Sequence, residues 1–180
     1  MLAVENTLLL VIDVQEKLLR VMFEKETLIS NLLKLIKGCS LLEVPIIITE
    51  QNPSGLGTTV RDLLDLVPKV EPVSKFSFSC CTESGFNEKL KSAGRRQILV
   101  CGIESHICVY QTSMDLISTG NDVHLVTDCV SSRTPENKEF ALRRMVSENI
   151  KLTGVEMALF ELLRSSKSPH FKAVSALIKN

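Results

Sequence analysis

The chain has 180 residues, 44% of them hydrophobic, and its 21 Lys and Arg cancel 21 Asp and Glu to a formal net charge of zero. That length suits one domain over residues 1–180, able to bury roughly two-thirds of its unfolded surface. With no basic stripe, acidic tail or low-complexity block, nucleic acid is disfavoured as a partner.

The apolar run 8–12 is interrupted by Asp13. It is too short to span a membrane and lacks the basic start and cleavage site of a signal peptide. Six cysteines without a secretory signal read as reduced thiols, so a cytoplasmic location is expected. The adjacent Cys80 and Cys81 are not expected to bond to each other, given the geometry a disulfide demands.

Residues 7–14 (TLLLVIDV) read as a buried strand. Leu28, Leu32, Leu35 and Ile36 then recur at helical spacing, with Gly38 as the expected stop. Residues 45–49 (PIIIT) are a second predicted strand, and 60–67 a short helix closed by Pro68. Residues 70–78 are part strand and part loop. Phe86, Leu90 and Ala93 mark a helical face ended by Gly94.

A strand over 96–101 and a helix over 105–119, stopped by Gly120, come next, followed by a strand over 122–127. Thr134-Pro135-Glu136 supplies a cap, a proline at the first helical position and an acid in the first turn, opening a helix to about residue 149. A strand over 150–152, a helix over 155–164 and a helical tail complete the chain. Strands apolar on both faces with helices between them predict a three-layer α/β domain around a mostly parallel sheet of about six strands.

In such sheets ligands bind beyond the carboxyl ends of the strands, where strand order reverses. The polar residues at those ends are therefore the ones to question. Asp13 interrupts an apolar run, which is costly unless the carboxylate is paired or has a task. The competing reading is a helix N-cap, and the residues leave both open.

Lys75 stands among apolar neighbours in VSKFSF. It reads as a lysine with its stem on an exposed edge and its head in water, unless a carboxylate such as Asp13 meets it. Cys108 falls about one turn into the helix that follows the strand ending at Cys101. Backbone N–H groups there favour negative charge, so its thiol is expected to titrate low. Cys39, Cys101 and Cys129 read as small buried hydrophobes.

A zinc site is poorly supported. His106 and Cys108 are two apart on a predicted helix and face away from each other, and no second pair completes a tetrahedral set. The same facing argument removes His106 as the base for Cys108 and leaves Asp13 as the better candidate. No metal and no cofactor is expected.

With Asp13, Lys75 and Cys108 in that order, each beyond a strand, the sequence resembles the isochorismatase-like cysteine hydrolase family. The similarity runs through LLLVIDVQ, TEQNPSGLGTT, SKFSFSC, ILVCGIESHICVYQT and DVHLVTDCVSSR, and so covers nearly the whole domain. The ordered combination carries it; no single motif would. The resemblance implies a Rossmann-like α/β/α fold and an Asp-Lys-Cys triad on Asp13, Lys75 and Cys108. It also implies a non-proline cis peptide between Ile103 and Glu104, an oxyanion hole built from the backbone N–H groups of Glu104 and Cys108, and a homo-oligomer.

Two departures narrow the substrate. Metal-dependent nicotinamidases of the family carry an Asp-x-His cluster after the second strand, where this chain has Thr49-Glu50-Gln51-Asn52-Pro53. True isochorismatases generally lack the cysteine, so Cys108 favours C–N hydrolysis. The expected function is metal-independent hydrolysis of a small amide-like substrate through a thioacyl intermediate, in a pocket bounded by Phe23, Gln51, Phe76 and Ile103. On this reading Asp13→Asn slows alkylation of Cys108 at neutral pH. A catalytically silent binding or scaffold protein on the same fold, and thiol redox sensing at Cys80 and Cys81, remain as alternatives.

Overall fold

Six strands form one sheet in the computed structural model, which describes residues 1–179. They are β1 (Thr7–Ile12), β2 (Ile46–Gln51), β3 (Val73–Lys75), β4 (Gln97–Ile103), β5 (Asp122–Ser131) and β6 (Lys151–Thr153). Their spatial order is β3-β2-β1-β4-β5-β6, and every pairing is parallel. The chain therefore starts in the middle of the sheet, builds one half outward, returns, and builds the other. Strand order reverses between β1 and β4, which are hydrogen-bonded neighbours.

The connecting helices are α1 (Glu16–Leu19), α2 (Lys25–Leu41), α3 (Pro53–Leu56), α4 (Arg61–Leu64), α5 (Ser84–Ala93), α6 (Tyr110–Ser118), α7 (Pro135–Ser147), α8 (Val155–Leu163) and α9 (Phe171–Lys179). Side-chain alternation along the strands decides which helices cover which face. Leu9 and Val11 of β1 join Ile48, Leu99 and Val126 in one apolar cluster, roofed by Leu32 and Leu35 of α2, Leu159 of α8 and Val174 of α9. Leu8, Leu10 and Ile12 point the other way, joining Val100 and Leu125 under Phe86 of α5, Leu116 of α6 and Met145 of α7. All six residues of β1 are buried because both faces are covered, which is why the strand reads as continuous apolar sequence.

Several local expectations shift. Gly38 lies inside α2: a Cβ there would sit 2.5 Å from both δ-methyl carbons of Leu159, so the glycine allows α8 to pack close and does not end the helix. The polar pair Thr127-Asp128 does not end β5. Thr127 donates to the Thr153 carbonyl and the Asp128 carboxylate accepts from the Val155 N–H at the start of α8, while the strand runs on to Ser131.

The β4–β5 pairing absorbs this extension. Between the pairs Val100–Leu125 and Gly102–Val130, β5 advances five residues against two on β4. This local irregularity bends the strand ends toward the topological switch. Gly102 makes the bend possible, with φ of 114° and a missing side chain that would otherwise lie 2.1 Å from the Ile12 carbonyl oxygen.

Gly102→Ala therefore sets a methyl group against main chain that has no room to retreat. A fall in Tm of more than about 10 °C is expected by calorimetry, since roughly 3 kcal/mol or more is lost in a domain of this size. Gly94→Ala, with no atom within 4 Å of the added Cβ but a φ of 62°, should cost only about 1 kcal/mol.

Candidate active site

β1 ends at Ile12, and Asp13 turns the chain out of the sheet with φ of 53°, a left-handed conformation that Asp adopts more readily than most side chains. Its N–H donates to the Thr49 carbonyl of β2 (3.2 Å) and its carbonyl accepts from the Gln15 N–H (2.7 Å). Gln15 then fastens the next loop: its amide nitrogen donates to the Gln51 and Gly57 carbonyls, and its amide oxygen accepts from the Gln51 N–H. The backbone around Asp13 is thus held from β2 and the 51–57 loop.

The Asp13 carboxylate is not an N-cap. One oxygen accepts from the Lys75 ammonium at 2.6 Å and the other from the Thr49 hydroxyl at 2.7 Å. Both charged side chains are fully buried. Lys75 reaches inward across β2 from the end of β3, and its ammonium also donates to the Gln51 side-chain oxygen (2.8 Å) and to the carbonyls of Ser77 (3.1 Å) and Phe78 (3.2 Å). It does not lie along an exposed edge. Burial would lower its pKa, but the Asp13 carboxylate beside it prevails and holds it above the ordinary lysine value.

Cys108 sits in a single wide π turn, Ser105–Val109, between β4 and α6, a local form that recurs at functional sites. The N–H groups of Ile107 and Val109 both donate to the Glu104 carbonyl; the Cys108 N–H between them does not. The Ile103–Glu104 peptide is cis. The thiol is 6% exposed, and burial together with the charge of Asp13 pushes its pKa up to about 12, against an opposing pull from Lys75.

This reverses the expectation of a lowered pKa. The turn carrying Cys108 is enclosed by apolar side chains and faces a carboxylate, and both effects disfavour the thiolate. Cys39, a core thiol with no such neighbours, is also pushed to about 12 by burial alone. The Asp13–Lys75 pair beside it, and not its acidity, sets Cys108 apart. All six cysteines are free thiols.

A second thiol joins the network. Cys80 lies 3.8 Å from the Thr49 hydroxyl and accepts from the Thr112 hydroxyl at 3.4 Å, while its own N–H donates to that hydroxyl at 3.0 Å. Thr112, Cys80 and Thr49 form a chain of donors ending on Asp13. Sequence reasoning missed Thr49 and Thr112 and read Cys80 only as a redox candidate with Cys81; the one available signal was a polar threonine closing the apolar run of β2.

The four residues expected to bound a pocket scatter. Gln51 spends both ends of its amide, on Lys75 and on the Phe76 carbonyl, so it orients the lysine. Phe76 follows Lys75 and is 76% exposed. Phe23 is half-buried and lines a cavity of about 110 Å³ with Thr27, Asn31, Asp128 and Ser131, which holds none of Asp13, Lys75 or Cys108. Ile103 is fully buried, packed in the apolar cluster under α2 and α8, so its side chain is core and not pocket wall. His106 meets the Ser132 hydroxyl at 3.0 Å. Among the described residues no group of three or more His, Cys, Asp or Glu is placed to hold a metal ion.

A parallel sheet in this order, covered by helices on both faces, defines a Rossmann-like α/β/α protein. A sequence model of the isochorismatase domain matches residues 7–157, and the chain belongs to the isochorismatase family. Isochorismatase domain-containing protein 2 of Danio rerio is 38% identical over 98% of this chain and 89% of its own. The secreted isochorismatase effector Isc1 of Phytophthora sojae is 38% identical, covering 97% and 85%. The structure of the MAR1 ribonuclease of Caenorhabditis elegans superposes with a TM-score of 0.92 at 35% identity, covering 99% of this chain and 92% of that one.

The charge arrangement makes two opposed predictions for the thiol. Lys75→Met strips the buried carboxylate of its partner, costing about 3–5 kcal/mol in urea unfolding, and slows alkylation of Cys108 by iodoacetamide. Asp13→Asn removes the anion that adds to burial in holding the proton on sulfur, so that alkylation should become faster at pH 7, opposite to the direction expected from the sequence.

Proposed function

We propose that the chain is a cysteine hydrolase that opens a C–N bond in a small amide-like substrate without a metal, using Asp13, Lys75 and Cys108. The observation that carries the reading is the fully buried Asp13–Lys75 ion pair whose charges both act on the Cys108 thiol. A buried ion pair is a poor stabiliser compared with apolar packing, so its presence at the switch point of the sheet calls for a task.

Because the thiol rests protonated, the proton leaves during attack. Asp13 accepts it as the Cys108 sulfur bonds to the carbonyl carbon and the carbonyl oxygen takes up the negative charge. The N–H groups of Glu104 and Cys108 are suited to hold that oxyanion, an interaction worth about 3 kcal/mol per donor. Collapse breaks the C–N bond, and Asp13 returns the proton to the departing amine. Asp13 then takes a proton from water as hydroxide adds to the thioester carbon, the C–S bond breaks to release the acid, and Asp13 returns its proton to the sulfur. Lys75, held above its ordinary pKa, stays charged and keeps the Asp13 carboxyl aimed at the sulfur through both transfers.

The similarity to a ribonuclease brings RNA forward as a second substrate class. A formal net charge of zero argues against it, since phosphate backbones are gathered by basic surface. Free thiols throughout and no disulfide support a reducing, cytoplasmic setting. Among the described residues no helix is long and apolar enough to cross a membrane. Exposed Phe76 and Phe78, two residues apart in the loop after β3, are apolar surface that a homo-oligomer would cover.

Turnover of a panel of small amides tests the proposal. At least one is hydrolysed with release of ammonia or amine, Cys108→Ser abolishes it, and chelators leave it unchanged; hydrolysis surviving in Cys108→Ser would remove the nucleophile from the account. In the free protein, labelling of Cys108 by iodoacetamide rises about tenfold per pH unit from pH 7 to 10, since the thiolate fraction grows steadily below a pKa near 12. A plateau already reached at pH 7 would contradict the protonated resting state.

A further inference from the structure

Glu104, Ser105 and His106 are each fastened through the side chain to one of the residues that end or follow β5. Arg133 donates from Nε and Nη2 to the two carboxylate oxygens of Glu104, at 3.1 and 3.3 Å. The Ser105 hydroxyl donates to the Ser131 carbonyl at 2.8 Å, and His106 Nδ1 meets the Ser132 hydroxyl. On their other side Ser131 and Ser132 hold Phe23: its N–H donates to the Ser132 carbonyl and its carbonyl accepts from the Ser131 hydroxyl. The extension of β5 beyond its expected end therefore works as a clamp on the turn between β4 and α6.

One member of that clamp carries an electrostatic demand. Glu104 is buried at 5% exposure, and the cation on its carboxylate is Arg133, whose side chain is 61% exposed. The same residue's carbonyl receives the N–H groups of Ile107 and Val109 on either side of Cys108. A rotation of Glu104 toward water would thus carry the turn that presents the nucleophile. A planar guanidinium gripping both carboxylate oxygens resists such rotation better than a point charge.

We propose that Arg133 is a positioning residue for the oxyanion donors: through its two-point grip on the Glu104 carboxylate it fixes the N–H groups of Glu104 and Cys108 relative to the Cys108 sulfur. This rests on the cysteine-hydrolase reading and assigns a role to a residue outside the triad. Arg133 acts through Glu104 and not on the reacting atoms. Its loss should therefore weaken the step that builds an oxyanion and spare one that does not.

Two reactions of the same sulfur separate those cases. Acylation of Cys108 by p-nitrophenyl acetate forms a tetrahedral oxyanion before p-nitrophenolate leaves, whereas alkylation by iodoacetamide displaces iodide and forms none. Second-order rates for both, at pH 8 and read by mass spectrometry of the Cys108 peptide, compare wild type with Arg133→Met and Arg133→Lys. The expected result for Arg133→Met is acylation about 100-fold slower with alkylation within about twofold. Arg133→Lys keeps the charge that Glu104 needs, guards against loss of the fold, and should slow acylation alone by about tenfold.

Equal losses in both reactions, or no loss in either, would overturn the positioning role while leaving the hydrolase reading in place. A wild-type Cys108 that is alkylated but never acylated would sink both.

Discussion

The rest of the structure is arranged around one ion pair. Lys75 and Asp13 meet at 2.6 Å with no exposed surface on either side chain, and moving two such charges out of water is repaid only when every remaining donor and acceptor finds a partner. Here they do: the second carboxylate oxygen takes the Thr49 hydroxyl, and the ammonium has the Gln51 side chain and two loop carbonyls. Satisfying that pair draws on β1, β2, β3 and the loop beyond it. The geometry of the 75–78 loop is thus set by where Lys75 must be, and Phe76 and Phe78 are left outside as a consequence.

The fold makes such a pair possible because parallel strands all end on the same side. Asp13 leaves β1 and Cys108 follows β4, the two strands that flank the reversal of order, while Lys75 comes from the edge strand two places away. A lysine has the length to bridge that interval, and an Asp at the strand end has a short side chain that cannot wander. Gly102 lets β4 pass close enough to β1 for the turn carrying Cys108 to approach Asp13. The thiol gains its neighbours at the cost of its acidity, so its attack on a substrate carbonyl depends on a proton acceptor at hand and not on a standing thiolate.

Much of this could be read in the residues. Apolar runs on both faces identify a parallel sheet, and a carboxylate closing such a run in TLLLVID marks a place where charge is tolerated for a reason. What escaped notice has a common cause: it depends on partners distant in the chain. Gly38 looks like a helix stop until Leu159 is laid against it. Thr127 and Asp128 look like the end of a strand until β6 and α8 take up their polar groups. The missed extension of β5 is what carries Ser131, Ser132 and Arg133 to the turn, so an error of a few residues in one strand hid a whole side of the site. The thiol's pKa was misjudged because position in a helix is local while burial and the Asp13 charge are not.

The account stands on proton traffic between Asp13 and Cys108 within the enclosure made by Lys75. Its most direct test is the lifetime of an acyl group on Cys108, followed by intact mass after mixing with a small activated ester. The account predicts a short-lived adduct mapping to Cys108 in the wild type. In Asp13→Asn the adduct should form more slowly and, once formed, persist, because no group remains to take the thiol proton or to activate water. An adduct located on the partly exposed Cys81, or one that hydrolyses equally fast with and without Asp13, would contradict it.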